Sequence, residues 1–141
     1  MKEFEIYLKD KWITDIRIIY KNRKIFVAGY FAKLKDVSLK GFFNIRFDED
    51  LNMLSATVKS MSEADLAKFI NPDIIDSRSH LEDFFLRDAF VLDNEEIVLI
   101  GERYYKEIDH YFDPRTDVTS YTDVYNYNSV LVTKIQDNGK L

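Results

Sequence analysis

Paired carboxylates are the side chains in this sequence best suited to catalysis. Asp15 and Asp88 open two similar stretches, TDIRIIY and RDAFVLD, and two acids at equivalent places can act as general acid and base. An Asp at the start of a strand more often accepts hydrogen bonds from the backbone of a neighbouring turn. Glu102 stands beside Arg103, and an ion pair between them is the simpler interpretation. We therefore predict no catalytic residue.

Residues that could bind a metal are scattered along the chain. His80 lies in the polar stretch DSRSHLED, and His110 lies in DHYFD with Asp117 and Asp123 further on. Calcium requires several oxygen ligands, but this spacing matches no EF-hand loop and no glycine supplies the sharp turn. The absence of cysteine excludes disulfides and thiolate sites, and no phosphate-loop or nucleophile-elbow motif is present. We expect neither a metal nor a cofactor.

Tyrosine is the residue type with the most unusual distribution. Six of the nine tyrosines lie within residues 104–127. Tyr combines a large rigid ring with a hydroxyl, which suits protein interfaces and sugar-stacking platforms. The alternative is structural, since cross-strand aromatic pairs also stabilise a long two-stranded ribbon. The candidate binding residues are Tyr104, Tyr105, Tyr111, Phe112, Tyr121, Tyr125 and Tyr127.

The composition limits the classes of protein to consider. With 141 residues, 46% of them hydrophobic and 15% aromatic, the chain can bury one moderate core and is not disordered. A net charge of −5 argues against a nucleic-acid surface. No stretch reaches the roughly 18 apolar residues of a membrane span. The first residues, MKEFEIYLKDKW, lack the apolar core of a signal peptide, so we expect an internal protein or a piece of a longer exported chain.

Alternating apolar and polar residues predict strands through most of the chain. A first repeat, about residues 13–60, contains DIRIIY, IFVAGYF, GFFNIRFD and LNMLSATV, with KNRK (21–24) as a polar break after the first strand. Ile16, Ile18 and Tyr20 should share one face of that strand. FEIYL predicts a further strand before the repeat. Residues 61–72 predict a helix capped by Ser62.

A second repeat, about residues 84–141, follows the same order. Asp88 corresponds to Asp15, DNEE replaces the first turn, and Gly101 corresponds to Gly29. The Tyr-rich stretch 104–128 is an insertion, predicted to be a projecting hairpin that turns near Asp113-Pro114. We therefore predict an all-β fold with one short helix, built of antiparallel β-meander repeats resembling about one and a half β-propeller blades. The alternative is a compact β-sandwich.

Four stretches carry a resemblance to a known group of proteins: KWITDIRI, VAGYFAK…SLKGFFNIRFD, LRDAFVLDNEEIVLIGERYY and YNYNSVLVTKIQDNGKL. In this order and spacing the chain resembles large, uncharacterised, exported proteins of Bacteroidetes. The resemblance implies a propeller-like β-repeat protein in the periplasm or at the cell surface, of which residues 1–141 are a single domain or a fragment. Without it, the cytoplasm is the expected location. The resemblance supplies no catalytic residues.

These features favour a non-catalytic binding or structural module over an enzyme. The expected partner is a protein or a glycan bound by the Tyr-rich hairpin, without nucleic acid or a membrane span. The alternative is a domain of a glycan-acting hydrolase, and a purely architectural module is a third interpretation. An incomplete repeat leaves open strand edges, so we expect either self-association or an edge covered by the N-terminal segment or the helix of the same chain.

Overall fold

The computed structural model describes residues 3, 5–33, 39–62 and 84–136. These residues form two antiparallel meanders, a four-stranded first sheet and a three-stranded second sheet, each with its strands in chain order. The all-β meander predicted from the alternating sequence is confirmed. The strands are β1 (Lys11–Lys21), β2 (Lys24–Lys33), β3 (Leu39–Asp48), β4 (Met53–Ser60), β5 (Phe84–Val91), β6 (Ile97–Asp113) and β7 (Val118–Ile135).

Two predicted elements near these strands have different outcomes. The strand predicted over FEIYL is wrong: residues 5–8 are irregular, and Ile6 and Leu8 pack against the first sheet instead. The helix predicted over 61–72 lies, apart from Met61 and Ser62, outside the described residues. In the part of the chain that is described, no helix is long and apolar enough to cross a membrane.

The hairpin between β1 and β2 closes through a two-residue turn. Asn22 and Arg23 have φ angles of 53° and 58°, the left-handed conformation that a type I′ turn requires at both positions. This turn matches the right-handed twist of the flanking strands, and Asn adopts the left-handed conformation at little cost. The turn is shorter than the predicted four-residue break because Lys21 already pairs with Lys24 in the ladder.

The hairpin between β5 and β6 closes differently. Leu92 donates its N–H to the Glu96 carbonyl at 2.8 Å, which leaves a three-residue loop between them. Glu95 occupies the left-handed position of this loop, φ 64°, which glycine usually takes. Two cations of the first sheet hold it there. Lys24 donates to the Glu95 carboxylate at 2.6 Å, and Arg46 donates to the Glu95 carbonyl at 2.8 Å.

The two sheets share one apolar core. Phe26, Ala28 and Tyr30 of β2 face residues of β5, β6 and β7 across it. A shared core between two stacked sheets is consistent with the β-sandwich alternative. A second cluster covers the other face of the first sheet and includes Phe31 and Phe43. The central strands β2 and β3 are therefore buried on both faces, which explains their nearly continuous apolar sequences.

The two meanders begin with the same irregularity. The ladder register shifts between Ile13 and Asp15 in β1, and between Leu86 and Asp88 in β5. A β-bulge therefore lies directly before each Asp, a geometric counterpart of the predicted correspondence between them. The glycines do not follow the same rule. Gly29 pairs with the residue after Asp15, whereas its predicted counterpart in β6 pairs with Leu86 before the bulge.

Candidate functional site

Strands β6 and β7 continue well beyond the three-stranded part of the second sheet. The described part of β5 pairs with β6 as far as Arg103, whereas the ladder between β6 and β7 continues to Asp113 and Val118. Residues 104–113 and 118–127 therefore form a two-stranded ribbon, closed by the turn at 114–117. The predicted projecting hairpin is confirmed, and its turn begins at Asp113.

One face of this ribbon carries most of its aromatic residues. Residues directly opposite in an antiparallel ladder share a face, and every second residue along each strand joins them. We call this surface the aromatic face. Five of its large hydrophobic side chains are more than half exposed. It consists of the opposed pairs Tyr104 and Tyr127, Lys106 and Tyr125, Ile108 and Asp123, His110 and Tyr121, and Phe112 and Thr119.

At the base of the ribbon, several side chains lie against the Tyr104 ring. The Tyr127 ring stacks on it with centroids 5.6 Å apart, and the Phe85 ring lies 4.8 Å away. The Arg87 guanidinium lies 5.0 Å from the same ring, within range of a cation–π interaction. Arg87 also donates to the Glu102 carboxylate at 2.7 Å. Aromatic and charged side chains of β5 therefore pack against the base of the ribbon, where β6 and β7 extend beyond the three-stranded part of the second sheet.

Further along the ribbon, cross-strand pairs hold its two strands together. The His110 and Tyr121 rings meet edge to face at 4.9 Å. Lys106 and Asp123 form an ion pair at 2.8 Å, and the hydrogen bond to Asp123 raises the pKa of Lys106. These contacts support the structural interpretation of the tyrosines, while the exposed rings leave a contact surface beside it.

The structure groups most, but not all, of the predicted binding residues. The aromatic face holds five of the seven, as its pairs show. Tyr111 pairs with Ser120 and lies on the opposite face, and Tyr105 pairs with Asn126 in the ladder. Three further residues of the site were not predicted from the sequence: Phe85, Arg87 and Ile108. Ile108 lies four residues after Tyr104, so period-two alternation along the strand predicts that both lie on the same face. The two β5 residues could be assigned to the site only once the pairing of β5 with β6 was known.

The candidate catalytic carboxylates are engaged in structural contacts. Asp15 accepts the Leu86 N–H at 3.1 Å, which ties β1 to β5, and Asp88 accepts the Ala89 N–H at 2.8 Å. Both carboxylates accept hydrogen bonds from backbone N–H groups, as the structural interpretation of these residues predicts. For Glu102, the partner that the structure shows is Arg87 of the neighbouring strand. Each of the three carboxylates therefore has a structural partner.

A buried tyrosine lies where the two sheets meet. Burial raises the pKa of Tyr30 well above its usual value, and the nearby Asp15 charge adds to the effect. Its hydroxyl has no hydrogen-bond partner among the described residues and points towards β6, where a Cβ on Gly101 would lie 2.5 Å from it. Gly101 therefore provides the space that the Tyr30 hydroxyl occupies. With its proton held this firmly, Tyr30 is unsuited to acid–base catalysis at neutral pH.

The remaining chemical candidates give no site. Within the described ranges, no group of three His, Asp or Glu side chains could hold a metal ion, and His80 lies outside those ranges. An apolar groove of about 560 Å³ lies on the outer face of the first sheet, lined by Ile6, Phe47, Leu51 and neighbouring aliphatic residues. A groove without polar lining residues can bind apolar groups but cannot orient or activate a polar substrate.

Comparison with known proteins adds no relative. No protein-family model matches the chain. No curated protein and no solved structure matches it either. The resemblance to exported Bacteroidetes proteins therefore stays a prediction, and the aromatic face is the feature that bears on function.

Proposed function

We propose that the chain is a non-catalytic β-module that binds a protein partner through the aromatic face. The observation that carries the proposal is the exposure of five large side chains on one side of the ribbon, where no described residue covers them. Burying such residues is the main source of binding energy at protein interfaces, and Tyr is among the residues that contribute most. The five are Ile108, Phe112, Tyr121, Tyr125 and Tyr127, each 53–67% exposed.

The ring geometry favours a protein over a glycan. A sugar platform needs aromatic rings whose flat faces are open to solvent, because the sugar lies against the ring face. At the base of the ribbon, Tyr104 and Tyr127 stack on each other instead, and Arg87 lies against the Tyr104 ring. The rest of the exposed surface combines Tyr hydroxyls with Phe and aliphatic side chains, a mixture typical of protein interfaces.

The hydrolase alternative has less support. A glycan-acting hydrolase needs two carboxyl groups that converge on one bond in a concave site. Asp15 and Asp88 are instead bound to backbone N–H groups, and Glu102 is paired with Arg87. An exported or cell-envelope location is part of the proposal, and its support is the sequence resemblance.

The test compares two surfaces of the same ribbon. Tyr121→Ser changes the aromatic face, and Tyr111→Ser is the matched control, because these residues are 67% and 68% exposed on opposite faces. Each variant and the unchanged chain would be tested against a displayed random-peptide library and a panel of soluble polysaccharides. We expect peptides selected on the unchanged chain to bind Tyr121→Ser at least tenfold more weakly, about 1.4 kcal/mol, and Tyr111→Ser equally well.

Other outcomes would decide against the proposal. Equal losses in the two variants would mean that the aromatic face has no special role. Binding to polysaccharides but not to peptides would make the chain a glycan-binding module. Circular dichroism of each variant separates a lost contact from a lost fold.

A further inference from the structure

The outer edge of β7 is the least protected strand edge in the described part of the molecule. Edge strands are normally protected by charges, proline or shortness, since their free N–H and C=O groups recruit other strands. β7 is 18 residues long and contains no proline. Its two charged residues are already engaged, Asp123 with Lys106 and Lys134 with Glu96.

The other edge of the ribbon differs in charge. The β6 part of the ribbon, residues 104–113, contains Lys106, Glu107, Asp109 and Asp113, whereas the β7 part, residues 118–127, contains one charged residue. A strand that approached β6 would have to desolvate or repel several charges, but a strand at β7 would meet mainly Thr, Ser, Val and Tyr. The charge pattern therefore directs strand pairing to β7.

Among the described residues, no third strand pairs with the ribbon. An isolated two-stranded hairpin is marginally stable in water, and three or more strands are needed for independent stability. Two ribbons that pair through β7 would form a four-stranded antiparallel sheet in the order β6, β7, β7 and β6. Such pairing is isologous, because the same strand is used by both copies about a two-fold axis. The Lys106–Asp123 pair within each copy limits repulsion between the two Asp123 side chains.

We propose that the chain forms a two-fold dimer in which the β7 ribbon edges of two copies pair as antiparallel strands. The dimer joins two aromatic faces into one surface. This inference concerns the edge of the ribbon and does not depend on any ligand of its face. A monomer that binds peptides through Tyr121 would overturn the dimer and leave the proposed function intact.

The first test is solution mass by light scattering over a wide concentration range. We expect a dimer, and we expect Thr122→Lys to weaken it at least tenfold, because each dimer would then hold two lysines at the shared edge. Thr116→Lys, with the same added charge in the turn, is the control and should leave the dimer unchanged. A monomer at every concentration would overturn the proposal. So would equal effects of the two lysines.

The second test identifies the edge directly. The chain contains no cysteine, so single-cysteine variants report contacts without background. Opposed residues in an antiparallel pair lie about 4.5–5.5 Å apart between Cα atoms, within reach of a disulfide. Under mild oxidation, cross-linking among Ser120→Cys, Thr122→Cys and Val124→Cys should peak at one position near the two-fold axis. Asp109→Cys in β6 and Thr57→Cys in β4 are the controls, and cross-linking there instead would place the interface at another edge.

Discussion

Phe43 and Phe112 stand in similar alternating sequences but in opposite environments. Phe43 is fully buried in β3, whereas Phe112 at the end of the ribbon is 54% exposed. The difference arises from neighbours: β3 lies between two strands and has an apolar cluster on each face. Within the described ranges, each strand of the ribbon has one neighbouring strand, and no layer covers the aromatic face. Local alternation thus specifies a strand in both regions, but the rest of the chain decides which faces are covered.

The comparison also separates stability from recognition. In the first sheet, large aromatic side chains contribute to folding because their surface is removed from water. On the ribbon, the same residue types keep most of their surface in water, so their burial remains to be gained on binding. We therefore expect substitutions in the first sheet to affect mainly unfolding, and substitutions on the ribbon to affect mainly association.

The same substitution in the two regions gives the largest predicted contrast. Phe43→Ala should lower the free energy of unfolding by about 3–5 kcal/mol, because it removes a buried ring and leaves a cavity. Phe112→Ala should change it by less than about 1 kcal/mol, since little buried surface is lost. Urea unfolding followed by circular dichroism, at a concentration low enough for the monomer, measures both values. A large loss for Phe112→Ala would show that the aromatic face is covered within the chain.

The contact between the two sheets gives a smaller effect that depends on one hydroxyl. Gly101→Ala should destabilise the fold by about 1–3 kcal/mol, because the new Cβ would lie 2.5 Å from the Tyr30 hydroxyl. In a Tyr30→Phe background that oxygen is absent, and the cost should fall by at least about 0.5 kcal/mol. Thermal or urea unfolding of the four chains completes the double-mutant cycle.

Gly29→Ala is the matched control in the first sheet. A Cβ there would clash with the Asp15 carbonyl oxygen, which is backbone and cannot be removed by Tyr30→Phe. The cost of Gly29→Ala should therefore stay the same in both backgrounds. Equal rescue of both glycine variants would mean that Tyr30→Phe loosens the whole core rather than the one contact.

The fold could be predicted from the sequence wherever the signal was local. Period-two alternation located the strands of both sheets, and the polar break at 21–24 located the first turn. The prediction failed at FEIYL because Ile6 and Leu8 bury their side chains against the first sheet although residues 5–8 do not pair with any of its strands. The sequence also could not place Glu95 in a left-handed position, since the cations that hold it come from distant strands.

The candidate site was predictable in outline but not in detail. The concentration of tyrosine identified the ribbon, because composition alone carries that signal. Dividing its residues between two faces required the ladder register, which places Tyr111 opposite Ser120 and away from the aromatic face. Phe85 and Arg87 join the site from β5 because their side chains lie against the Tyr104 ring. Such contacts depend on tertiary structure, and no spacing within the sequence indicates them.

Acid should weaken both sheets through exposed carboxylates. Hydrogen bonds from Arg23 and Tyr20 lower the pKa of Glu49 in the first sheet, and a hydrogen bond from Lys21 lowers the pKa of Asp93 at the turn of the second. The unfolded chain then binds protons at a higher pH than the folded chain does. The stabilisation from these two carboxylates should therefore be fully present above the ordinary pKa values, 4.5 for Glu and 3.8 for Asp. It should be lost as the pH falls through the lowered pKa values of the folded state.

The smallest predicted effect concerns the ion pair that joins the two sheets. Lys21 and Asp93 lie 2.8 Å apart, but the Asp93 side chain is fully exposed, so salt should screen the pair. Asp93→Asn should make the acid-induced loss of stability slightly shallower at low salt, and 1 M salt should remove the difference, because the Debye length is then about 3 Å. Lys21→Met should flatten the curve equally, since it removes the same pair. If neither variant changes the curve, the pair contributes nothing in solution. The apolar core and the remaining contacts then hold the sheets together: Asp15 with the Leu86 N–H, Arg46 with the Glu95 carbonyl, and Arg17, which donates to the Leu86 carbonyl at 2.7 Å.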